Sequence, residues 1–361
     1  MATCKAAVFV GANKPLAIQE FPIPALEDGA TLVRMEMAAV CGTDVHAAHY
    51  AASPFPVIFG HENVGVIAEM NGGPTHDVLG QPLQPGDRII FRSAACGKCF
   101  NCSVGESCQH SRPYGMMRCD EPPHLRGGFG QYLYLDPDPW ILRVPDEMST
   151  ERALLSVVGN HTLLNGIERI GGVDPGATVV VQGAGPIGMG ALIQAKVAGA
   201  GRVIVIGAPS SRLELARAMG ADETIDIGEL REPAARVERV RELTGGRGAD
   251  LVMECSGGST AFQEGLEMAR YAGKFLVVGQ WTDYGPQPIN PSLVTRKSLR
   301  LNGVFSGAPR HIIRSLQVMQ SAVRYPVERL ITHRFPLDRV NDGFAAHERL
   351  EAMIPVILPN Q

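Results

Sequence analysis

Short apolar runs alternate with longer segments of helical periodicity between residues 177 and 280, and this alternation predicts a repeated strand–helix unit. The runs are rich in valine and isoleucine, so we expect a parallel sheet that is covered by helices on both faces. The pattern therefore predicts a doubly wound α/β domain. The predicted strands are 178–181, 202–207, 223–227, 249–258 and 274–280, and the predicted helices start at Pro186 or cover 211–221, 232–243 and 261–271.

The turn after the first of these strands reads GAGPIG, in which Gly183, Gly185 and Gly188 form a G-x-G-x-x-G pattern. The pattern alone is weak evidence, but here it separates a predicted strand from a helix that Pro186 and Ile187 begin. In that context it predicts a dinucleotide site, with the pyrophosphate held by backbone amides at the start of the helix. We therefore expect a Rossmann cofactor domain.

The end of the second strand departs from the common NAD pattern. In an NAD site an acidic residue there accepts a hydrogen bond from the ribose 2'-hydroxyl, whereas this chain has Gly207. A 2'-phosphate would meet no repulsion at this position, and Ser210, Ser211 and Arg212 follow closely enough to bind one. Arg212 could equally cap the following helix or pair with it, so NAD and NADP both stay open.

Composition favours a globular protein that acts on small molecules. The 361 residues suffice for two domains with cores of their own, and 45% of them are hydrophobic and 19% charged. A formal net charge of -4 gives no reason to expect nucleic acid or an anionic membrane as a partner. The N-terminus lacks a basic segment followed by an apolar run, and no stretch of about 18 apolar residues follows. We therefore expect a cytoplasmic protein.

Half of the eight cysteines lie in one window of 13 residues, CGKCFNCSVGESC. Disulfides are not expected in a long chain without an export signal, so this crowding indicates a metal. The spacing of Cys96, Cys99, Cys102 and Cys108 predicts a closed, tetrahedral structural zinc site. Cys119 is an alternative fourth ligand in place of Cys108.

The stretch FGHENVG contains a second set of metal donors. His61 and Glu62 supply nitrogen and oxygen, and Cys41, in CGTDVH, supplies sulfur. Three protein ligands that leave one position for water or substrate are typical of catalytic zinc. Individually, Cys41 could be a small buried hydrophobic residue, and His61 with Glu62 could be a polar pair at a strand edge.

Three neighbours of Cys41 have predicted catalytic roles. The hydroxyl of Thr43 is placed to accept the proton of a substrate alcohol, and His46 is placed to pass that proton to solvent near neutral pH. Asp44 is expected to orient His61 or to balance the charge of the metal.

These motifs together resemble the zinc-dependent medium-chain dehydrogenases/reductases, the alcohol dehydrogenase superfamily, and within it the polyol and threonine dehydrogenases. The resemblance covers nearly the whole chain. The motifs that carry it are CGTDVH at 41–46, GHE at 60–62, the cysteine loop from 96, GGFGQYLYL at 127–135, GAGPIG at 183–188 and THRFPLDRVNDGF at 332–344.

The resemblance implies a mainly β, GroES-like catalytic domain formed by residues 1–157 and 303–361, and a Rossmann cofactor domain at 158–302. It also implies a homodimer or homotetramer. The implied reaction is reversible hydride transfer between NAD(P) and a secondary alcohol, polyol or amino alcohol, with zinc activating the substrate oxygen. Two zinc ions per chain are expected, one catalytic and one structural.

One departure from the family concerns a further cysteine that many members carry on the helix that opens the cofactor domain. When the chain is aligned through Thr162, the place of that cysteine falls on Val158, which cannot bind zinc. Ligation would then rest on the other three predicted ligands and water, unless Asn160 or His161 reaches the metal.

Three other functions remain open from the sequence. A zinc-free quinone or enoyl reductase of the same fold would not need Cys41, His61 and Glu62, so their presence counts against it. A non-catalytic binding protein on a Rossmann scaffold would fail to bind a nicotinamide cofactor. An enzyme that keeps only the structural zinc is the third, and Val158 is the residue that favours it.

Overall fold

The computed structural model of the chain describes residues 2–50, 55–281 and 285–361. The chain folds into two compact units. The first contains residues up to Val158 together with Leu330–Gln361, and the second contains Gly159–Arg329.

The first unit is mainly β and has two sheets. The smaller sheet has the order β2-β1-β4, and the larger has the order β15-β16-β3-β5-β6-β8 with β7 paired to β3. Most neighbours are antiparallel, and β15 and β16 are parallel. The elements of this unit are β1 Thr3–Phe9, β2 Ala17–Pro22, β3 Thr31–Ala39, α1 Gly42–Tyr50, β4 Val57–Ile58, β5 Asn63–Met70, β6 Arg88–Arg92, α2 Phe100–Ser103, β7 Tyr132–Leu135, β8 Trp140–Arg143, α3 Thr150–Val157, β15 Ile331–Pro336, α11 Val340–Glu348 and β16 Ile354–Leu358.

Aromatic rings fill the centre of this unit. Phe59 is fully buried and stacks on Phe9 with ring centroids 4.9 Å apart. Phe344 of α11 lies edge-to-face with Phe129 at 5.9 Å. Burying such rings removes large apolar areas from water, and Phe59 thereby fixes the chain just before His61.

The second unit is the predicted doubly wound domain. Six strands form one sheet in the order β11-β10-β9-β12-β13-β14, and every neighbouring pair is parallel. Its elements are α4 Asn160–Arg169, β9 Thr178–Gln182, α5 Pro186–Val197, β10 Arg202–Gly207, α6 Ser210–Ala218, β11 Glu223–Asp226, α7 Pro233–Leu243, β12 Ala249–Glu254, α8 Ala261–Met268, β13 Ala269–Val277, α9 Ser292–Arg296, β14 Arg300–Gly303 and α10 Pro309–Ser321.

The helix predicted over 261–271 is wrong in its last three residues. α8 ends at Met268 because Ala269 is extended, with φ -64° and ψ 139°, and already pairs with Ala249 of β12. Strand pairing overrides the helical periodicity there, so β13 begins at Ala269, five residues before the predicted strand start at 274.

The second domain boundary also lies later in the structure than the predicted position 303. Residues 303–329 belong to the second unit because α10 packs against α4 and α5. Arg310 and His311 of α10 approach the carboxylate of Glu168 at 3.1 Å and 3.3 Å. Helix packing and these polar contacts hold this stretch to the cofactor domain.

Across the described residues, no helix combines the length and the apolar character that crossing a membrane requires.

Candidate active site and metal centres

Cys41 is fixed at the start of α1 by a reciprocal pair of hydrogen bonds. Its carbonyl accepts the backbone N–H of Asp44 at 3.0 Å, and Oδ2 of Asp44 accepts the N–H of Cys41 at 3.1 Å. The second of these bonds is the half of a capping box in which an acidic side chain in the first turn of the helix accepts a backbone N–H that precedes the helix. The cap fixes the Cys41 backbone and the Asp44 carboxylate relative to each other.

A turn at Gly60 positions the next two predicted ligands, His61 and Glu62. Gly60 has φ +91°, and a Cβ on it would lie 3.0 Å from the backbone nitrogen and a ring carbon of Phe129. Its carbonyl accepts hydrogen bonds from the N–H of Gly128 at 2.9 Å and from Nδ2 of Asn63 at 3.0 Å. Only glycine fits this turn, which places His61 and Glu62 just before β5.

The structure brings Cys41, His61 and Glu62 together, with one donor atom of each lying within 4.8 Å of the other two. Oδ1 of Asp44 lies 3.2 Å from Nδ1 of His61 and accepts a hydrogen bond from the Nδ1–H group. With Nδ1 used in this way, Nε2 is the nitrogen left for a metal. The structure thus places the Asp44 carboxylate against the ring of His61, and the role of Asp44 in orienting that ring stays a prediction.

Burial and neighbouring charges shift the pKa values of two residues in the cluster. Burial raises the pKa of the Cys41 thiol, and the Glu62 carboxylate raises it further. Burial acts to lower the pKa of His61, but the charge and hydrogen bond of Asp44 outweigh it, so this pKa lies well above its usual value. A divalent cation would offset the charge of a buried thiolate beside a carboxylate.

The donor set also fits zinc. Sulfur, nitrogen and oxygen in a group of three match a catalytic site with one position left for water or substrate. Zinc–ligand bonds of about 2.0–2.3 Å place two ligand atoms of a tetrahedron roughly 3.3–3.8 Å apart. The donor separations of at most 4.8 Å are compatible with that geometry.

Thr43 and His46 both lie on α1 and are partly buried. They are three positions apart, so their side chains lie on the same side of the helix about one turn apart. Their proposed roles in proton transfer stay predictions.

His347 of α11 lies beside Gly42, a contact that the sequence did not indicate. Its Nε2 lies 3.7 Å from the position that a Cβ on Gly42 would take, next to Cys41. More than three hundred positions separate the two residues along the chain, so no local spacing could have indicated this contact. Only the packing of α11 on α1 brings them together.

Val158 and Asn160 form hydrogen bonds at the end of α3 and at the start of α4. Val158 is the C-cap of α3 and is buried, with its N–H bonded to the carbonyl of Leu154. Asn160 begins α4, and its side-chain oxygen accepts a hydrogen bond from Nε2 of Gln194 at 2.9 Å, which joins α4 to α5. His161 follows in α4 and is partly buried.

The four cysteines of the predicted structural site form one cluster, in which all donor atoms lie within 4.8 Å of one another. Sγ of Cys99 is 3.4 Å from Sγ of Cys102 and 4.0 Å from that of Cys108. Four thiolates around zinc would lie about 3.8 Å apart, since each Zn–S bond is about 2.3 Å. The spacing therefore fits a closed zinc site.

Backbone N–H groups stabilise the thiolate forms of two cysteines in this loop. Hydrogen bonds from the N–H groups of Cys102 and Gln109 lower the pKa of Cys99 to about 6, and the N–H of Cys96 lowers that of Cys108. The neighbouring Cys99 raises the pKa of Cys102 to about 12. Zinc binds thiolates, so a bound zinc ion would displace the proton that the Cys102 thiol otherwise keeps.

Cys119, the alternative fourth ligand, lies elsewhere. It is 2% exposed and packs in the aromatic core with Ile58 and Leu125. Burial raises the pKa of its thiol to about 11, as for an inert core cysteine.

The glycine motif has the geometry of a dinucleotide turn. Gly183 follows β9 with φ +112°, Gly185 caps α5, and Pro186 and Ile187 form its first turn. A Cβ on Gly188 would lie 1.8 Å from the carbonyl oxygen of Gly183, so the third glycine is required for the turn to pack on the helix.

Gly207 and Arg212 lie beside this turn. Gly207 ends β10, and Arg212 lies in the first turn of α6. Nη1 of Arg212 is 3.9 Å from the position of a Cβ on Gly185, and burial lowers the pKa of this guanidinium. The structure thus brings Arg212 to the start of α5.

Two family descriptions match the chain. Residues 27–146 match the alcohol dehydrogenase GroES-like domain, and residues 186–321 match the zinc-binding dehydrogenase family.

Several characterised proteins are similar over nearly their whole length. A 5-exo-hydroxycamphor dehydrogenase of Pseudomonas putida is 34% identical over 361 compared positions, and the match covers 99% of each chain. An L-threonine 3-dehydrogenase of Bacillus subtilis is 31% identical over 340 compared positions, and the match covers 91% of this chain and 90% of that protein. Among solved structures, an alcohol dehydrogenase of Thermotoga maritima matches with a TM-score of 0.93 and 32% identity over 99% of this chain and all of that one.

Proposed function

Since the chain belongs to the zinc-type medium-chain alcohol dehydrogenase family, we propose that it catalyses reversible, zinc-dependent hydride transfer between an alcohol and NAD(P). Relatives are named for a hydroxylated camphor, for L-threonine and for alcohols. The substrate class proposed for this chain is therefore a secondary alcohol, polyol or amino alcohol, together with the corresponding ketone or aldehyde.

The convergence of Cys41, His61 and Glu62, with Asp44 behind His61, is the observation that carries the proposal. These residues lie on two separate segments, and no structural need explains a thiol, an imidazole and a carboxylate meeting in a partly buried cluster. We assign the three as ligands of a catalytic zinc. The same argument assigns Cys96, Cys99, Cys102 and Cys108 to a structural zinc.

The chemistry supplied by bound zinc and nicotinamide is polarisation of an alcohol or carbonyl oxygen and exchange of a hydride. The residues of the chain hold and orient the reacting groups. Asp44 fixes the ring of His61 through Nδ1 and thereby sets the direction of Nε2. The Thr43 hydroxyl is the proposed acceptor of the substrate's O–H proton, and His46, one turn further along α1, carries it away.

For the cofactor, the proposed contacts come from the turn between β9 and α5. Gly185 leaves room for a pyrophosphate, since the nearest atom to a Cβ placed there is Nη1 of Arg212 at 3.9 Å, whereas Gly183 and Gly188 are needed for the packing of the turn. Pro186 starts the helix without an N–H of its own, so the proposed first donors are the N–H groups of Ile187 and Gly188, where the helix dipole attracts an anion.

We further propose a homodimer or homotetramer joined through β14. This strand forms one edge of the parallel sheet, and Leu301 on it and Phe305 after it are 42% and 73% exposed. An edge strand with exposed apolar side chains favours pairing with a second copy. The cytoplasm is the proposed location, because none of the eight cysteines forms a disulfide, as is usual for proteins of a reducing compartment.

The experiment that tests the function is an assay of secondary alcohols, polyols and amino alcohols with both oxidised cofactors. We expect turnover of at least one substrate class by the intact protein. Cys41→Ser should lose almost all of it while the far-UV circular dichroism stays unchanged. Turnover of Cys41→Ser close to that of the intact protein would contradict the zinc mechanism.

A further inference from the structure

A buried carboxylate holds the turn that follows β12. Glu254, the last residue of that strand, is completely buried. Its Oε1 accepts hydrogen bonds from the backbone N–H groups of Ser256 and Gly257, each at 2.7 Å, and from the Ser256 hydroxyl at 2.8 Å. The oxygen of that hydroxyl accepts the N–H of Gly258 at 3.1 Å. One side chain therefore fixes residues 255–258, which we call the 255–258 turn.

This turn lies where the strand order of the parallel sheet reverses. β9, the first strand of the sheet in the chain, has β10 on one side and β12 on the other, and Glu254 is in register with Gln182 at the end of β9. In open parallel sheets, ligands bind in the crevice at the carboxyl ends of the two strands that meet at such a point. Gly183 of the glycine motif follows β9 there. The glycine motif and the 255–258 turn are thus the two segments that border this crevice.

The two segments are in close contact at Gly183. A Cβ on Gly183 would lie 3.0 Å from the carbonyl carbon and oxygen of Cys255 and from the backbone nitrogen of Ser256. The N–H of Cys255 also donates to the carbonyl of Gln182 at 2.8 Å. A displacement of the 255–258 turn would therefore act directly on the start of the glycine motif.

The segment after β13 packs on the other side of the 255–258 turn. The carbonyl of Glu254 accepts the N–H groups of Val278 and Gly279 at 2.8 Å and 3.0 Å. A Cβ on Gly279 would lie 2.5 Å from the nitrogen of Gly257, and a Cβ on Gly257 would lie 2.6 Å from the carbonyl oxygen of Gly279. Gly257 also has φ +67°, which favours glycine. The position of the turn is therefore closely defined by backbone contacts on both sides.

The burial of Glu254 determines how it can act on a ligand. Its Oε2 is buried and has no hydrogen-bond partner in the described part of the chain. A carboxyl group that is covered in this way does not contact a cofactor. Any influence of Glu254 on cofactor binding must therefore pass through the 255–258 turn.

We infer that Glu254 is a positioning residue for the nicotinamide cofactor, because its carboxylate holds the 255–258 turn against the glycine motif and so sets the crevice at the end of β9 that receives the dinucleotide. The inference rests on the proposed function, since it concerns the cofactor of the same enzyme. The crevice receives a part that NAD and NADP share, so a change at Glu254 should affect both cofactors to the same degree.

Fluorescence titration with NADH and NADPH, in the absence of an alcohol, tests the inference. Glu254→Gln keeps the length of the side chain but removes its charge, and it adds an N–H donor to a group whose second oxygen has no partner. We expect each reduced cofactor that the intact protein binds to bind at least about tenfold more weakly, the effect of losing one charge-assisted hydrogen bond. Zinc content should not change, because both proposed zinc sites lie in the other unit.

Asp250→Asn is the matched control for a general loss of stability. Asp250 lies on the same strand as Glu254 but at its opposite end, and its Oδ2 accepts the N–H of Thr178 at 2.8 Å. The control should lower the midpoint of urea unfolding and leave cofactor affinity as it was. Equal weakening of cofactor binding in Asp250→Asn and Glu254→Gln would make Glu254 merely structural and would overturn the inference.

Gly257→Ala tests the turn without changing the carboxylate, and it keeps the inference testable if Glu254→Gln does not fold. Gly257 is partly exposed, and the added Cβ must move the turn away from Gly279. Both cofactors should again bind more weakly. Unchanged cofactor binding in a folded variant at either position would overturn the inference and leave the proposed function standing. Failure of the intact protein to bind NADH or NADPH would overturn both.

Discussion

The carboxylate of Asp44 is completely buried and lies 3.2 Å from Nδ1 of His61, and its second oxygen caps the backbone of Cys41 at 3.1 Å. One acidic side chain therefore positions two of the three proposed zinc ligands. Glu62 is adjacent to His61, so the third ligand depends on the same turn. Asp44 thus positions the donor residues of the cluster, although it is not one of the three donors.

Asp44→Asn should lower zinc affinity by about 10- to 100-fold, which is the usual effect of losing such a supporting carboxylate. The amide keeps the shape of the side chain but carries no charge to hold the Nδ1–H of His61. Zinc retained after dialysis against a graded chelator series measures the change. Asp342→Asn, at an exposed aspartate paired with Arg339, is the control and should leave zinc binding as it was.

Thr43→Val should reduce kcat by about 100-fold or more, because general acid–base groups contribute roughly that amount. Valine has nearly the shape of threonine but no hydroxyl, so zinc content should not change. Thr43→Ser restores the hydroxyl and should recover most of the rate. Equal rates for the valine and serine variants would remove Thr43 from proton transfer.

Cys102→Ser should release one zinc ion per chain and lower the unfolding temperature, since metal binding at a closed cysteine site is coupled to folding. Elemental analysis and thermal unfolding measure the two effects. Cys119→Ala is the comparison, because this cysteine lies in the aromatic core away from the cluster. A loss of zinc from the Cys119 variant with retention in the Cys102 variant would reverse the assignment of ligands.

Gly188→Ala should weaken both nicotinamide cofactors and reduce the free energy of unfolding by about 1–3 kcal/mol, the usual range for overpacking. The added Cβ would lie 1.8 Å from the carbonyl oxygen of Gly183 and must push the turn away from α5. Gly303→Ala, where no atom lies within 4 Å of the new Cβ, serves as the control for cofactor binding. Fluorescence titration with the reduced cofactors and urea unfolding give the two quantities.

The sequence predicted the parts of the fold that depend on local pattern. Alternating apolar runs and amphipathic segments gave the β9-to-β13 part of the parallel sheet, and the spacing of glycines placed the turn at Gly183. The spacing of the four cysteines likewise indicated a cluster, because close neighbours in the chain can meet only by a turn. Each of these signals spans a few residues.

Features that depend on distant packing were not visible in the sequence. α8 stops at Met268 because Ala269 pairs with Ala249, which no helical periodicity can reveal. The stretch 303–329 joins the cofactor domain because α10 packs on α4. His347 reaches Gly42 through the packing of two helices, and the closeness of Gly207 to Ala184 depends on how a turn lies against a strand.

The central claim is that Cys41, His61 and Glu62 hold a zinc ion, and the number of zinc ions per chain tests it most directly. Elemental analysis of protein purified without added metal or chelator should give two per chain for the intact protein and one for His61→Ala. One zinc ion per chain in the intact protein, unchanged in His61→Ala, would contradict the claim and leave the cysteine loop as the metal site.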